Sequence, residues 1–346
     1  MNNASVLSGG QRHRGRQRRH RHRRPRRRFP FAAVAFTVVL GLAILLVVMA
    51  GRASSPSLPS AAAAPPVLTP VNRTSAVAWP VVPSDYGVAP APPSERVRVH
   101  LRAPLRSGLL FDVRTGQVLW ERDPDRVLPI ASLTKMMTAL LVAKLDRPSA
   151  RVLITRQAVD FTGSGVGLLP LHKRVPLVAL LYGLLLPSGN DAAIALAQHV
   201  AETQDRFIAM MNKRAQAMDL GCTHYTTESG VIDAGNHSCA ADLTKIARAL
   251  LDVPLLARIV ASASAAVPFP IKGHKLYLYN NNPLYQLGYR GTDGVKTGYT
   301  TAAGVCLVAT ARRGGTWLGL VLLHSADEDD QAPELFDAGF AALRRR

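Results

Sequence analysis

An α+β fold is what this sequence predicts, and the order of its patterns is the reason. Strand-like stretches at 108–113 and 117–120 open the body, others at 294–298, 304–311 and 316–323 close it, and mostly helical patterns fill the middle. The opening and closing strands should share one antiparallel sheet covered by helices. The remaining helices should form a second cluster, leaving a cleft between the two.

The chain begins with a composition unlike that of the body. Its net charge of +19 is concentrated at the N-terminus, where 12–28 holds 11 arginines and no acid. From residue 96 onward there are 29 Lys and Arg against 21 Asp and Glu, a net of only +8. Residues 31–51 come next, with 21 uncharged positions rich in Val, Leu, Ala and Ile. At about 1.5 Å per residue such a helix crosses a hydrocarbon layer of roughly 30 Å. Arginines immediately before it fit the positive-inside rule, so the reading is an N-terminal cytoplasmic tail (1–28) and a transmembrane anchor (29–51). A cleaved signal is the rival, because Gly51-Arg52-Ala53 has small residues suited to cleavage. A nucleic-acid role for the basic tail is not expected, because an apolar span lies directly after it. From 52 to 95 there are 10 prolines among 44 residues, so 52–99 reads as an extended tether and 100–346 as the catalytic body.

Within the body, Arg114-Thr115-Gly116 separates the first two strand patterns and marks a hairpin. A helix is predicted around Ser132 and its apolar sequel, with a mixed, glycine-rich loop at 151–174. Helices follow at 175–186, 191–201, 205–220, 241–251 and 254–262. The methionines of the 205–220 stretch read as core. Another strand is expected at 272–279, Arg312-Arg313-Gly314-Gly315 turns the last two strands, and 329–343 closes as an amphipathic helix.

Cys222, Cys239 and Cys306 are an odd number for an exported chain. They read as three small buried residues of a core that needs no staple, with a Cys222–Cys239 pair as the alternative. Neither they nor the ten histidines show metal-ligand spacing, so no metal and no cofactor is expected. Gly163-Ser164-Gly165-Val166-Gly167 lacks the context and spacing of a phosphate loop, and there is no Gly-x-Ser-x-Gly elbow.

Chemistry is carried by three short patterns. Ser132-Leu133-Thr134-Lys135 places a hydroxyl and an amine three residues apart on one helical face. A lysine surrounded by apolar residues, or close to a second cation, loses its proton readily and becomes a base for the serine. By itself such a pair is as readily an N-cap serine and a solvated lysine. Ser188-Gly189-Asn190 between two apolar helices and Lys296-Thr297-Gly298 at the head of a strand change that balance. Each pattern occurs once, in this order, and the set is the one found in serine β-lactamases and penicillin-binding proteins.

The wording around these patterns resembles the D-alanyl-D-alanine carboxypeptidases among the low-molecular-mass penicillin-binding proteins, serine peptidase family S11. The resemblance rests on 130–138, on 181–193, on His237-Ser238 with Ala241-Asp242-Leu243, and on 293–300, and it covers roughly 105–343. It implies a β-lactamase/transpeptidase-like fold and an acyl-enzyme on Ser132, with Lys135 as its base and Ser188 relaying a proton to the leaving amine. Asn190 would orient the substrate amide, and Lys296 and Thr297 would hold the terminal carboxylate. Gly298 would let the peptide lie along the strand, and the N–H groups of Ser132 and Tyr299 would form the oxyanion hole. The implied partners are a peptidoglycan pentapeptide, β-lactam inhibitors and the cytoplasmic membrane, with the body outside the cell. A D,D-endopeptidase and a catalytically silent wall-binding module are the alternatives. The chain departs from the family at Thr227-Glu228-Ser229-Gly230-Val231, where Asn-Pro-x-Gly-Leu is usual. That change is expected to alter a cleft wall without touching the acyl-transfer groups. The middle pattern is Ser-Gly-Asn, and no Glu-x-x-Leu-Asn comes after it, which argues against a class A β-lactamase.

Overall fold

The computed structural model describes residues 86–167 and 169–344. The arginine-rich tail, the predicted span and most of the predicted tether lie outside the described residues. Among the described residues, no helix is long and apolar enough to cross a membrane.

Chain order begins with β1 (Ala89–Pro90), β2 (Leu105–Asp112), β3 (Gln117–Arg122) and β4 (Leu128–Pro129). The β2–β3 hairpin forms where expected. Asp112 Oδ1 accepts the N–H groups of Arg114 and Thr115, both at 2.9 Å, and Gly116 takes φ +76° at the end of the turn. Residues 89–97, the C-terminal part of the stretch read as a tether, lie along this hairpin. Ala89 and Pro90 pair in parallel with Gln117 and Val118, and Val97 N–H bonds Leu119 O at 2.9 Å.

A short 3₁₀ turn, Ala131–Thr134, leads into α1 (Lys135–Leu145), followed by β5 (Arg151–Leu153), α2 (Arg156–Val159) and β6 (Arg174–Pro176). Next come α3 (Leu177–Leu185), α4 (Asn190–Ala201), α5 (Gln204–Ala217), β7 (His237–Ser238), α6 (Ala240–Leu251) and α7 (Pro254–Val260). The chain ends with β8 (Ser264–Pro268), β9 (Lys275–Tyr279), α8 (Pro283–Gln286), β10 (Thr292–Thr300), β11 (Gly304–Arg313), β12 (Thr316–Ser325) and α9 (Glu328–Leu343).

The main sheet runs β1-β3-β2-β12-β11-β10, so both ends of the body contribute to it, and all pairings except β1–β3 are antiparallel. Alternation along the strands serves two cores. Leu110, Leu307, Leu318, Leu320 and Leu322 face α9, where Leu335, Phe336 and Phe340 are buried. Leu109, Phe111, Val308, Val321 and Leu323 face the helical cluster. Each such aliphatic or aromatic side chain contributes roughly 1.5–3 kcal/mol by leaving water. Gly339 lets α9 settle on the sheet, since a Cβ there would stand 2.8 Å from Leu318 Cδ1.

In the helical cluster, α1 is buried from Lys135 to Val142, so its first residue is a lysine with no access to water. Ser132 lies in the 3₁₀ turn rather than in the α-helix predicted for it. The geometry is not lost, because three residues per turn bring positions i and i+3 into line.

Two sequence readings are corrected here. Cys222 and Cys239 form a disulfide, leaving Cys306 as a buried thiol. The 221–236 segment that this bond closes has no helix or strand of its own, so a staple matters here even in a chain with a large core. Strand β8 went unforeseen because Ser264-Ala265-Ala266 carries no strand-like side chains; it forms by pairing with β9, from Ser264↔Tyr279 to Pro268↔Lys275.

Candidate active site

The serine turn is fixed from several sides. Strands β4 and β7 pair on one side of it, through Leu128↔Ser238 and Pro129↔His237. Asn236 Nδ2 donates to Thr134 Oγ1 at 2.9 Å, and Thr134 Oγ1 donates to Ala131 O at 2.8 Å. Ala131 holds φ +48° and Ser188 φ +69°, left-handed values that cost a non-glycine residue about 1–3 kcal/mol. Both stay in place because the surroundings over-determine them. Two glycines from remote segments press on the turn: a Cβ at Gly230 would lie 1.9 Å from Ala131 O, and one at Gly298 would lie 2.9 Å from Ile130 O and 3.1 Å from Ser132 N.

Lys135 Nζ has three oxygens around it, Ser132 Oγ at 2.8 Å, Asn190 Oδ1 at 2.6 Å and Ser229 O at 2.7 Å. Its pKa lies well below the usual lysine value, chiefly because burial strips the ammonium of water and then because Lys296 repels it; Glu228 and Asp191 pull the other way. A neutral amine has two N–H donors and one lone pair. Asn190 Oδ1 and Ser229 O can only accept, so the lone pair is left for the Ser132 hydroxyl, which is the arrangement a general base requires.

Asn190 is presented by the start of α4. Its N–H bonds Ser164 O at 2.9 Å, and next to it the Asp191 carboxylate accepts the N–H groups of Val166 at 2.8 Å and Gly167 at 3.0 Å. The glycine-rich 163–167 loop thus does bind an anion, but an internal one that ties it to the helix N-terminus.

Strand β10 is the edge of the sheet on this side. Lys296 is buried, its Nζ donates to Thr297 O at 2.8 Å, and burial lowers its pKa to about 7. Ser132, Ser188, Thr297, Gly298 and Tyr299 all line one cavity of about 430 Å³, together with Ser164 and Asn281. Lys135 and Asn190 stand behind Ser132, and Lys296 is electrostatically coupled to Lys135. Three far-apart segments therefore meet at one hydroxyl beside an open strand edge.

A family model described as D-alanyl-D-alanine carboxypeptidase, peptidase S11, matches residues 98–327. This chain belongs to the S11 peptidase family. Bacillus subtilis DacF, a D-alanyl-D-alanine carboxypeptidase, is 32% identical over 68% of this chain and 62% of its own length. Mycobacterium tuberculosis DacB2, also named a D-alanyl-D-alanine carboxypeptidase, is 37% identical over 69% of this chain and 83% of its own. A mutant of a Streptomyces DD-transpeptidase superposes with a TM-score of 0.66 at 30% identity, covering 70% of this chain and all of that one. The S11 chain thus spans 62% of DacF.

Family wording did not reveal everything in the S11 site. The 227–231 departure was expected to leave the acyl-transfer groups untouched; instead Ser229 O is a direct partner of Lys135 and Glu228 acts on the same amine. Gly298 lines the cavity and also packs against the Ser132 turn, a second constraint that the family pattern did not show. Ser229, Glu228, Asp191 and Asn236 were missed as supports. The only available signal was the Thr227–Val231 departure itself, since a main-chain oxygen leaves no mark on residue type.

Proposed function

We propose that this chain is a serine-type D-Ala-D-Ala carboxypeptidase that removes the terminal D-alanine from peptidoglycan stem peptides and is acylated by penicillins. The observation that carries the reading is Ser132 Oγ 2.8 Å from a wholly buried Lys135 amine, at the floor of a cavity bordered by an open strand edge.

In this reading the peptide adds to the β10 edge with its terminal carboxylate near Lys296 and Thr297. Lys135 takes the Ser132 proton as Oγ bonds to the penultimate carbonyl carbon. The N–H groups of Ser132 and Tyr299 stabilise the oxyanion, an effect often worth about 3 kcal/mol per donor. As the C–N bond breaks, the leaving amine receives a proton through Ser188, and D-alanine departs. Water then attacks the ester, its proton passes to Lys135, and the shortened peptide leaves as Ser132 regains its hydrogen. Asn190 holds the amine by its oxygen while its NH₂ faces the substrate amide.

The test is fluorescent-penicillin labelling together with D-alanine release. Both should be present in the wild type and absent in Ser132→Ala; labelling that persists on another residue would remove Ser132 from the role. A D,D-endopeptidase on the same scaffold differs only in its leaving amine, and chromatography of digested muropeptides separates the two. A silent wall-binding module would show no labelling. For location, the 29–51 segment supports a single-pass anchor with the body outside the cell. Replacing the arginines of 12–28 should then change orientation without affecting activity of the body.

A further inference from the structure

A second cavity of about 450 Å³ is bordered by α2, the start of α5 and the 227–232 segment, which includes the Ser229 that holds Lys135. Glu228 lines it while remaining only 3% exposed, and its main-chain oxygen accepts the Thr138 hydroxyl of α1 at 2.6 Å. The adjoining Ser229 O holds the Lys135 amine.

A chain of polar groups ends on this carboxylate. Thr155 Oγ1 donates to Gln198 Oε1 at 2.6 Å, and Gln198 Nε2 donates to Gln157 Oε1 at 2.6 Å. With the Gln204 amide turned so that its nitrogen faces acceptors, its oxygen takes the Gln157 Nε2 hydrogen at 2.6 Å, and its nitrogen stands 3.0 and 3.1 Å from the Glu228 oxygens. Every donor along the chain points toward Glu228. Such an aligned series favours the ionised carboxylate, since each bond polarises the next. A mere packing residue would not call for that arrangement.

We propose that Glu228 is a positioning residue for acyl transfer, a fixed negative charge near Lys135 that opposes the repulsion from Lys296 and sets the pH at which the base becomes available. The groups acting on Lys135 are Lys296 from β10, which favours loss of its proton, and Glu228 and Asp191, which favour keeping it. The pKa of Glu228 is raised on balance, because burial outweighs the main-chain hydrogen bond and the Lys135 charge that lower it. Asp160, at the C-terminal end of α2, also borders the second cavity, and α5 contributes the neutral Gln204.

This inference rests on Lys135 as the general base, so its test measures the second-order rate of penicillin acylation from pH 5 to 9. Glu228→Gln should shift the acidic limb toward lower pH by about one pH unit, leaving the plateau rate within a few-fold of wild type. Gln204→Lys, at a partly exposed position, sets a cation beside the carboxylate and should shift the limb the same way. It decides the matter should Glu228→Gln fail to fold. Glu228→Asp should keep the wild-type limb. A superimposable limb in Glu228→Gln and Gln204→Lys, a shift toward higher pH, or a rate loss equal at every pH would overturn the proposal. Absence of wild-type labelling would instead refute the proposed function itself.

Discussion

Lys296 is a group that the proposed reaction uses and the fold does not need. Its side chain is 1% exposed and its pKa falls from 10.5 to about 7 through burial. In the unfolded chain it titrates near 10.4, so at pH 7 folding must discard or strand a proton. A drop of that size at about 1.4 kcal/mol per pKa unit costs the folded state roughly 4 kcal/mol at pH 7. The sign follows from linkage. With the folded value depressed, the unfolded state binds more protons between about 7 and 10.5, and stability rises with pH across that window. Lys296→Met keeps the length of the side chain, removes the cost and loses one bond to Thr297 O, worth about 1 kcal/mol. A net gain of about 3 kcal/mol at pH 7 raises the thermal midpoint by about 6–12 °C. At pH 9.5 most of the gain should vanish, because folded Lys296 is already neutral and taking the proton from the unfolded lysine then costs only about 1 kcal/mol. Calorimetry of both proteins at the two pH values is the assay, with D-alanine release as the companion measurement. A variant less stable than wild type at pH 7, or a difference that does not change with pH, would refute the reasoning. Activity should be lost in either case.

Other outcomes rest on the same geometry. Gly298→Ala puts a methyl 2.9 Å from Ile130 O and 3.1 Å from Ser132 N, and should slow penicillin acylation about 10–100-fold by displacing the nucleophile. Stopped-flow labelling reads this, and an unchanged rate would show that the turn yields freely. Replacing Cys222 and Cys239 by Ala removes a cross-link spanning 17 residues and should cost about 3 kcal/mol, seen as a lower thermal midpoint and slower labelling. For peptide substrates, kcat/KM should fall as pH rises past about 7, when free Lys296 loses its charge. The limb in kcat should lie higher, since a bound carboxylate favours the charged amine.

The sequence made the fold legible because alternation and helical periodicity are properties of side chains. Leu109, Leu110 and Phe111 announce a strand buried on both faces, and the 175–186 run announces a buried helix, observed as α3. The three short patterns were legible for another reason: Ser132, Lys135, Ser188, Asn190 and Lys296 carry distinctive functional groups, so residue type and spacing record them. What escaped acts through the backbone or through absence. Ser229 contributes a carbonyl, which any residue has. Gly298 and Gly230 contribute missing side chains, and what fills those spaces depends on a turn far away along the chain. The disulfide stood only as the alternative reading because the need for a staple depends on how little regular structure lies between α5 and α6, which composition does not show.

In the proposed reaction, the Lys135 shell would let one amine take a proton and return it within a single turnover. Protonated, the amine has three donors, and Ser132 Oγ, Asn190 Oδ1 and Ser229 O all accept. Neutral, it has two donors and a lone pair, and the hydroxyl of Ser132 is the one neighbour able to reverse its role. No heavy atom has to move between the two states, so the geometry serves both, although the three acceptors bond the charged amine more strongly. The rest of the choice falls to the charges that surround the amine without touching it, Lys296 on one side and Glu228 and Asp191 on the other, against the constant penalty of burial. This division of labour predicts different signatures. Asn190→Ala, which removes a direct neighbour of the amine, should lower the plateau rate. Changes at Glu228 should move the pH limb and leave the plateau.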